Sequence, residues 1–175
     1  MNSSNKEEAL QNGGCASLAG KYMTFKLASE IYGLEILKVR EIIGLMDITR
    51  VPKSAPFIRG VINLRGKVIP VADLRQKFGM EPCQTTDQTV IIVVQCAVGG
   101  RSLTMGILVD QVLEVLSIEA SQIEPTPPSL SARGELDFVL GLGKAGDRVV
   151  FLLDIGRALS ADEQSAFEAT AARPA

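Results

Sequence analysis

The stretch FIRGVINLRGKVIPVADLR, residues 57–75, decides the fold. Within it two β-branched segments, GVINLR (60–65) and KVIPVAD (67–73), meet at Arg65-Gly66. β-Branched side chains suit a pleated, half-buried surface, and glycine accepts the positive φ that a tight hairpin turn demands. The stretch therefore predicts two antiparallel strands joined by a short turn. Asp73 then offers an N-cap carboxylate, Leu74 and Phe78 sit one helical turn apart and Gly79 is a stop, which predicts a short helix over 73–79.

The same texture extends in both directions. Met23, Phe25 and Leu27 alternate with Thr24 and Lys26, the period of a half-buried strand. Further strands are predicted over Thr89–Ala97, Leu103–Asp110, Val112–Ile118, Leu136–Leu142 and Arg148–Ile155. The run Val90–Val94 reads as a strand covered on both faces. Helix is sparse: beyond 73–79, only the Ala/Glu-rich segment after Ser160 predicts one. Residues 1–20 are rich in Asn, Ser, Gly and charge without a period, and read as a tail.

An internal duplication orders these strands. Gly33 and Gly106, Val39 and Val112, and Pro52 and Pro125 share an offset of 73, while Gly60 and Gly141, and Asp73 and Asp154, share an offset of 81. The Pro-rich connection TPPSLSARGE absorbs the difference. Two related all-β modules follow, each expected to close into a small barrel rather than leave bare edges.

Composition excludes more than it asserts. With 46% apolar and 22% charged residues the chain buries a real core. A net charge of −2 gives no field for nucleic acid or anionic lipid, and no apolar run approaches the roughly 20 residues of a membrane helix. Histidine is absent, which removes His-based triads, the commonest metal ligand and a phosphohistidine relay. The three cysteines, Cys15, Cys83 and Cys96, lack C-x-x-C spacing and read as reduced thiols of a cytoplasmic protein. GLGKAG (Gly141, Gly143, Gly146) matches a dinucleotide fingerprint, but the strand-like DRVVFLLDI follows where a helix is needed, so the glycines read as hairpin-shaping. Arg65 stands out as a long cation at a hairpin tip, able to reach a partner carboxylate with its planar fork; a solvated loop arginine is the bland alternative. Ile36, Val39, Ile42 and Ile43 read first as core, with a partner-facing role for some of them.

The 57–75 stretch closely resembles the signature of the CheW family of chemotaxis coupling proteins, with its N-L-R-G hairpin, its I/V-P-V strand and its D-L-R helix. YGLEILKVREI (32–42), GILVDQVLEVL (106–116) and GLGKAGDRVVFLLDI (141–155) resemble the family's other blocks in order, covering Tyr22 to Ser160. The resemblance implies a domain over 21–160, all-β, of two intertwined five-stranded SH3-like barrels with short helices. The first barrel would lie mainly in 32–86 and the second in 87–160, with a C-terminal helix and tail over 161–175. It also implies an adaptor with no chemistry of its own and no cofactor. Such an adaptor joins methyl-accepting chemoreceptors to a histidine kinase in two-component signalling arrays at the inner face of the membrane. Carried over by motif position, Val39, Gly60, Asn63, Arg65 and Val90 would meet the receptor's cytoplasmic hairpin tip. Glu41 and Ile42 would meet the kinase's regulatory domain on a separate surface. The chain departs from the pattern in its polar N-terminus and in AVGGRSLTM (97–105), which reads as longer than a minimal hairpin. Two rivals remain. One is a regulatory-domain-like fragment of a larger chemotaxis protein, although a receiver fusion needs an α/β domain that the 15 residues after Ser160 do not supply. The other is a small enzyme, opposed by the missing histidine and the lack of any nucleophile or ligand cluster.

Overall fold

The computed structural model describes residues 17–81, 84–98, 101–127 and 138–158, and in it the 57–75 stretch forms its hairpin. The strands are β1 Gly20–Leu27, β2 Glu30–Glu35, β3 Val39–Gly44, β4 Ile58–Leu64, β5 Lys67–Asp73 and β6 Val90–Val98, then β7 Arg101–Val109, β8 Gln111–Ile118, β9 Ile123–Glu124, β10 Val139–Ala145 and β11 Arg148–Leu153. Short helices follow β5 (Leu74–Lys77) and β11 (Ile155–Ala158), each capped by the aspartate before it: Asp73 Oδ1 accepts the Arg75 N–H at 3.0 Å, and Asp154 Oδ1 the Arg157 N–H at 3.2 Å. The all-β expectation holds. The expected tail through residue 16 and the helix after Ser160 lie outside the described residues. Leu18, placed in the tail on sequence grounds, packs instead on the core around Tyr22, whose hydroxyl donates to its carbonyl at 2.5 Å.

Two sheets result, ordered β8-β1-β2-β11-β10-β9 and β3-β6-β7-β5-β4. Strands cross between the two halves of the chain. β6 and β7 pair with strands from 39–73, and β1 and β2 with strands from 111–153. The duplication explains why. Mapping β1 to β6, β2 to β7, β3 to β8, β4 to β10 and β5 to β11 turns one order into the other, so the two repeats have exchanged their first hairpins. Equivalence extends to details. The parallel partners Val71↔Gly106 become Leu152↔Gly33, and a bulge separates Ile58 from Gly60 as another separates Val139 from Gly141. The Asp73 N–H donates to Phe57 O at 2.7 Å and the Asp154 N–H to Phe138 O at 2.8 Å. One landmark fails. Thr49 bridges to Val61 where Glu124 pairs with Leu142, so Pro52 is not the counterpart of Pro125; the turn Ala120–Gln122 has shifted that register by two.

Each sheet buries both faces. Ile91 and Val93 of β6 point into a core of the five-stranded sheet with Ile62, Ile69, Val71 and Leu108, while Ile92 and Val94 face a larger core shared with the other sheet. The six-stranded sheet repeats this, with Tyr22, Val150 and Leu152 in its own core and Phe25, Leu34 and Leu153 in the shared one. Double burial explains the unbroken Val90–Val94 run. It also makes Thr24 a buried residue rather than an exposed one: its hydroxyl exchanges hydrogen bonds with the backbone of Glu114. The described residues of the 97–105 stretch extend the β6–β7 pairing, which continues to Val98↔Arg101.

Candidate functional site

The β4–β5 turn presents Arg65 under strain. Both of its central residues have positive φ, +53° at Arg65 and +85° at Gly66, the pattern that matches the right-handed twist of a two-residue hairpin. Glycine accepts this freely, whereas a Cβ-bearing residue there is uncommon. Asn63 supports the turn, its Oδ1 accepting the Gly66 N–H at 2.9 Å.

From that turn the Arg65 guanidinium reaches β3 and forks onto Glu41, Nη1 to Oε2 at 2.8 Å and Nη2 to Oε1 at 2.9 Å. β3 and β4 are the two ends of the five-stranded sheet, so the pair ties one end to the hairpin at the other. The hydrogen bonds to Glu41 push the guanidinium above its ordinary value. The arginine side chain is nonetheless 74% exposed and Glu41 29%. Exposed apolar side chains lie close to it in the chain but not on its face: Glu41 faces Val93 and Ile42 faces Ile92, and Val68 precedes the inward Ile69, so Ile42 and Val68 point to the other side of the sheet, with Leu45 exposed beyond β3.

This geometry sorts the expected site residues. Asn63 and Arg65 are exposed at the tip, and Ile42 is exposed on the end strand. Glu41, assigned to a surface apart from Arg65, is its direct partner. The two assignments therefore meet in one ion pair, and Arg65 is not the merely solvated loop arginine of the bland alternative. Val39 and Val90 are half-buried against the shared core and sit at opposite ends of the β3–β6 ladder, Val39 facing Val94 and Val90 facing Gly44. Four residues of strand separate them, roughly 13 Å. Gly60 is buried beneath Thr49, where an added Cβ would lie 2.1 Å from the Thr49 carbonyl oxygen. Residues not singled out from the sequence are Val68 and Leu37, the latter 90% exposed in the turn Ile36–Lys38. Strand phase carried the signal for Val68, because Ile69 and Val71 point inward and Val68 must then point out.

Among the described residues no group of three or more His, Cys, Asp or Glu is placed to hold a metal, and no helix is long and apolar enough to cross a membrane. The family model for the CheW-like domain matches residues 21–163. A chemotaxis protein CheW of Klebsiella aerogenes is 40% identical over 145 residues, 83% of this chain and 84% of the relative. One from Rhizobium meliloti is 32% identical over 162 residues, 93% of this chain and 98% of its own. In structure, the scaffolding protein TtCheW of Thermoanaerobacter tengcongensis superposes with a TM-score of 0.73 at 35% identity, covering 83% of this chain and 96% of that one. With the ordered sequence blocks and the two sheets, these matches establish that the chain belongs to the CheW-like domain family of chemotaxis coupling and scaffolding proteins.

Proposed function

We propose that this chain holds a chemotaxis histidine kinase within reach of a chemoreceptor by binding both: the receptor's cytoplasmic hairpin tip and the kinase's regulatory domain. Protein contact alone suffices for this role, and an adaptor acting at receptor arrays on the inner face of the membrane needs no catalytic centre. The observation that carries the reading is the exposed Arg65–Glu41 fork, with Ile42 and Val68 exposed on the other face of the same sheet. Exposed ion pairs contribute little to folding, and a strained turn is kept where its geometry serves a site. Arg65, Asn63 and neighbouring backbone form the receptor side, with Val39, Gly60 and Val90 supporting it from below. Glu41 and Ile42 form the kinase side.

Because Arg65 and Glu41 hold each other, each partner senses the other's residue. Calorimetric titration with a receptor-tip fragment and with the kinase regulatory domain tests this. Arg65→Ala should weaken receptor binding by at least about tenfold and also shift kinase binding, since it frees Glu41. Glu41→Lys and Ile42→Asp should weaken kinase binding. The charge swap Arg65→Glu with Glu41→Arg should recover part of what each single change loses. Single variants that each affect one partner only, with no recovery in the swap, would rule out the shared pair.

A further inference from the structure

Parallel pairing builds the same corner twice. β5 runs beside β7 in the register Asp73↔Leu108, and β11 beside β2 in the register Leu153↔Leu34. The offsets of 81 and 73 carry the first corner onto the second, the helix Leu74–Lys77 onto Ile155–Ala158 and Leu37 onto Asp110. Beyond the strands the corners differ. At the first, the Arg75 guanidinium donates to Asp110 at 2.5 Å. The chain after the helix then folds back over that pair, the Met80 N–H donating to Arg75 O at 2.8 Å and Arg75 Nε to Glu81 O at 3.1 Å. At the second, Gly156 stands in the place of Arg75 and Leu37 in the place of Asp110.

Leu37 is the most exposed large apolar side chain among the described residues, although Ile36 and Val39 on either side pack against the shared core. Lys38 and Arg40 are exposed next to it, and among the described residues neither has an ion-pair partner. A single exposed leucine is ordinary. This one stands out because its counterpart is covered, and covered by the segment that follows the helix. The described residues end at the same corner: Ala158 is buried, and a Cβ on Gly156 would lie 3.5 Å from Ala97 O of β6. Residues 159–175 therefore start beside Leu37, as Phe78–Glu81 start beside Asp110. Leu159 and Phe167 are the large apolar residues of that segment, and Asp162, Glu163 and Glu168 outnumber its one cation, Arg173. Phe167 and Glu168 lie beyond the matched CheW-like domain.

We propose that the segment after Ala158 folds back over the β2–β3 turn, with Phe167 covering Leu37 and the segment's carboxylates meeting Lys38 and Arg40. The first corner is the template for the path, and an apolar contact replaces its Arg75–Asp110 pair. Apolar burial drives the contact and opposite charge orients it. Tethering at Ala158 makes the docking intramolecular, so a contact too weak to hold two separate molecules together suffices.

The chain contains no tryptophan, so Phe167→Trp in the full-length protein reports its own surroundings. Its emission should be blue-shifted, and acrylamide should quench it at least about threefold less efficiently than in urea. Adding Leu37→Ser should return quenching to near the urea value, and adding Lys38→Glu should move it part of the way. Both positions are exposed, so the melting temperatures of these variants should stay close to the parent's. Emission as exposed in the native state as in urea would overturn the proposal, as would shielding that both added changes leave intact. Shielding that fades on dilution from about 100 to about 1 μM would assign Leu37 to a second copy of the chain and overturn it equally. No receptor or kinase fragment enters these measurements, so their failure leaves the proposed coupling role untouched.

Discussion

Replacing Gly60 by alanine should unfold a corner of the five-stranded sheet, whatever role the residue has toward a receptor. Its φ of +144° belongs to a region reserved for glycine, and the new Cβ would sit 2.1 Å from Thr49 O and 2.9 Å from Ile48 Cγ2. Backbone strain of this kind costs about 1–3 kcal/mol. Relieving the overlap means parting Thr49 from Val61, whose two hydrogen bonds, both 2.8 Å, are each worth about 1 kcal/mol net. The expected loss is about 3–5 kcal/mol, a large share of a domain stability of roughly 5–15 kcal/mol, and it should lower the melting temperature by about 10 °C. The repeat supplies the control. A Cβ at Gly141 would stand 3.1 Å from Glu124 O and 3.1 Å from Ile123 Cγ2, with no positive φ, so Gly141→Ala should cost about 1–2 kcal/mol. Urea denaturation and calorimetry on both variants measure the contrast. A Gly60→Ala protein melting within about 3 °C of the parent, or a Gly141→Ala protein losing as much, would refute the steric reasoning.

Arg65→Gly should melt at or slightly above the parent temperature, because it relaxes a positive φ, yet it should bind a receptor-tip fragment poorly; thermal melts beside titrations separate the two effects. Both tyrosines should resist ionisation, since burial first, then Glu35 for Tyr22 and Glu30 for Tyr32, pushes each phenol up to about 12 from 10.0. The neutral phenol is favoured in the fold, so this contribution to stability is whole below about pH 10 and is lost as pH rises toward 12. Ultraviolet titration should show phenolate only as the protein unfolds in that window, and normal ionisation near pH 10 in the folded state would contradict the burial. Cys96 is buried, with its thiol pushed up by that burial, so a thiol reagent should leave it intact until denaturant is added.

The hairpin at residues 57–75 was legible because its signal is local: alternation, a turn glycine and a capping aspartate within one short stretch. The repeat was legible because it is a pattern of identities. The exchange of hairpins was not legible in the residues themselves, although the family resemblance implied intertwined barrels. It rests on the parallel pairings of β5 with β7 and of β2 with β11, contacts between residues far apart in the chain that leave no local trace. β2 and β3 escaped assignment for another reason. Ile36, Val39, Ile42 and Ile43 fall at three- and four-residue spacings, and the turn Ile36–Lys38 with the bulge after Val39 breaks the strand period. Arg65 was identifiable as a tip cation, but Glu41 lies 24 residues earlier and carries no mark of the pairing.

The exchanged hairpins bear on how an adaptor of this shape transmits force. Neither repeat can complete a sheet without strands from the other, so the two surfaces stand on one continuous core that includes Phe25 and Leu34 from one sheet and Ile92 and Ile107 from the other. The crossing from β7 to β8 is a single residue, Asp110, and it is clamped. Its carboxylate accepts the Ala28 N–H at 2.8 Å and the Arg75 guanidinium at 2.5 Å, joining the β1–β2 turn to the helix after β5. Arg75 is mostly buried, at 16% exposure, so this pair is less screened by solvent than Arg65–Glu41. The molecule thus combines a firm junction between its sheets with an open, separable ion pair at the end of one of them. Close-packed interiors pass small displacements on rather than absorbing them. A partner that pulls Arg65 away from Glu41 would therefore change the second partner's surface directly, through the freed carboxylate, without a hinge between the sheets.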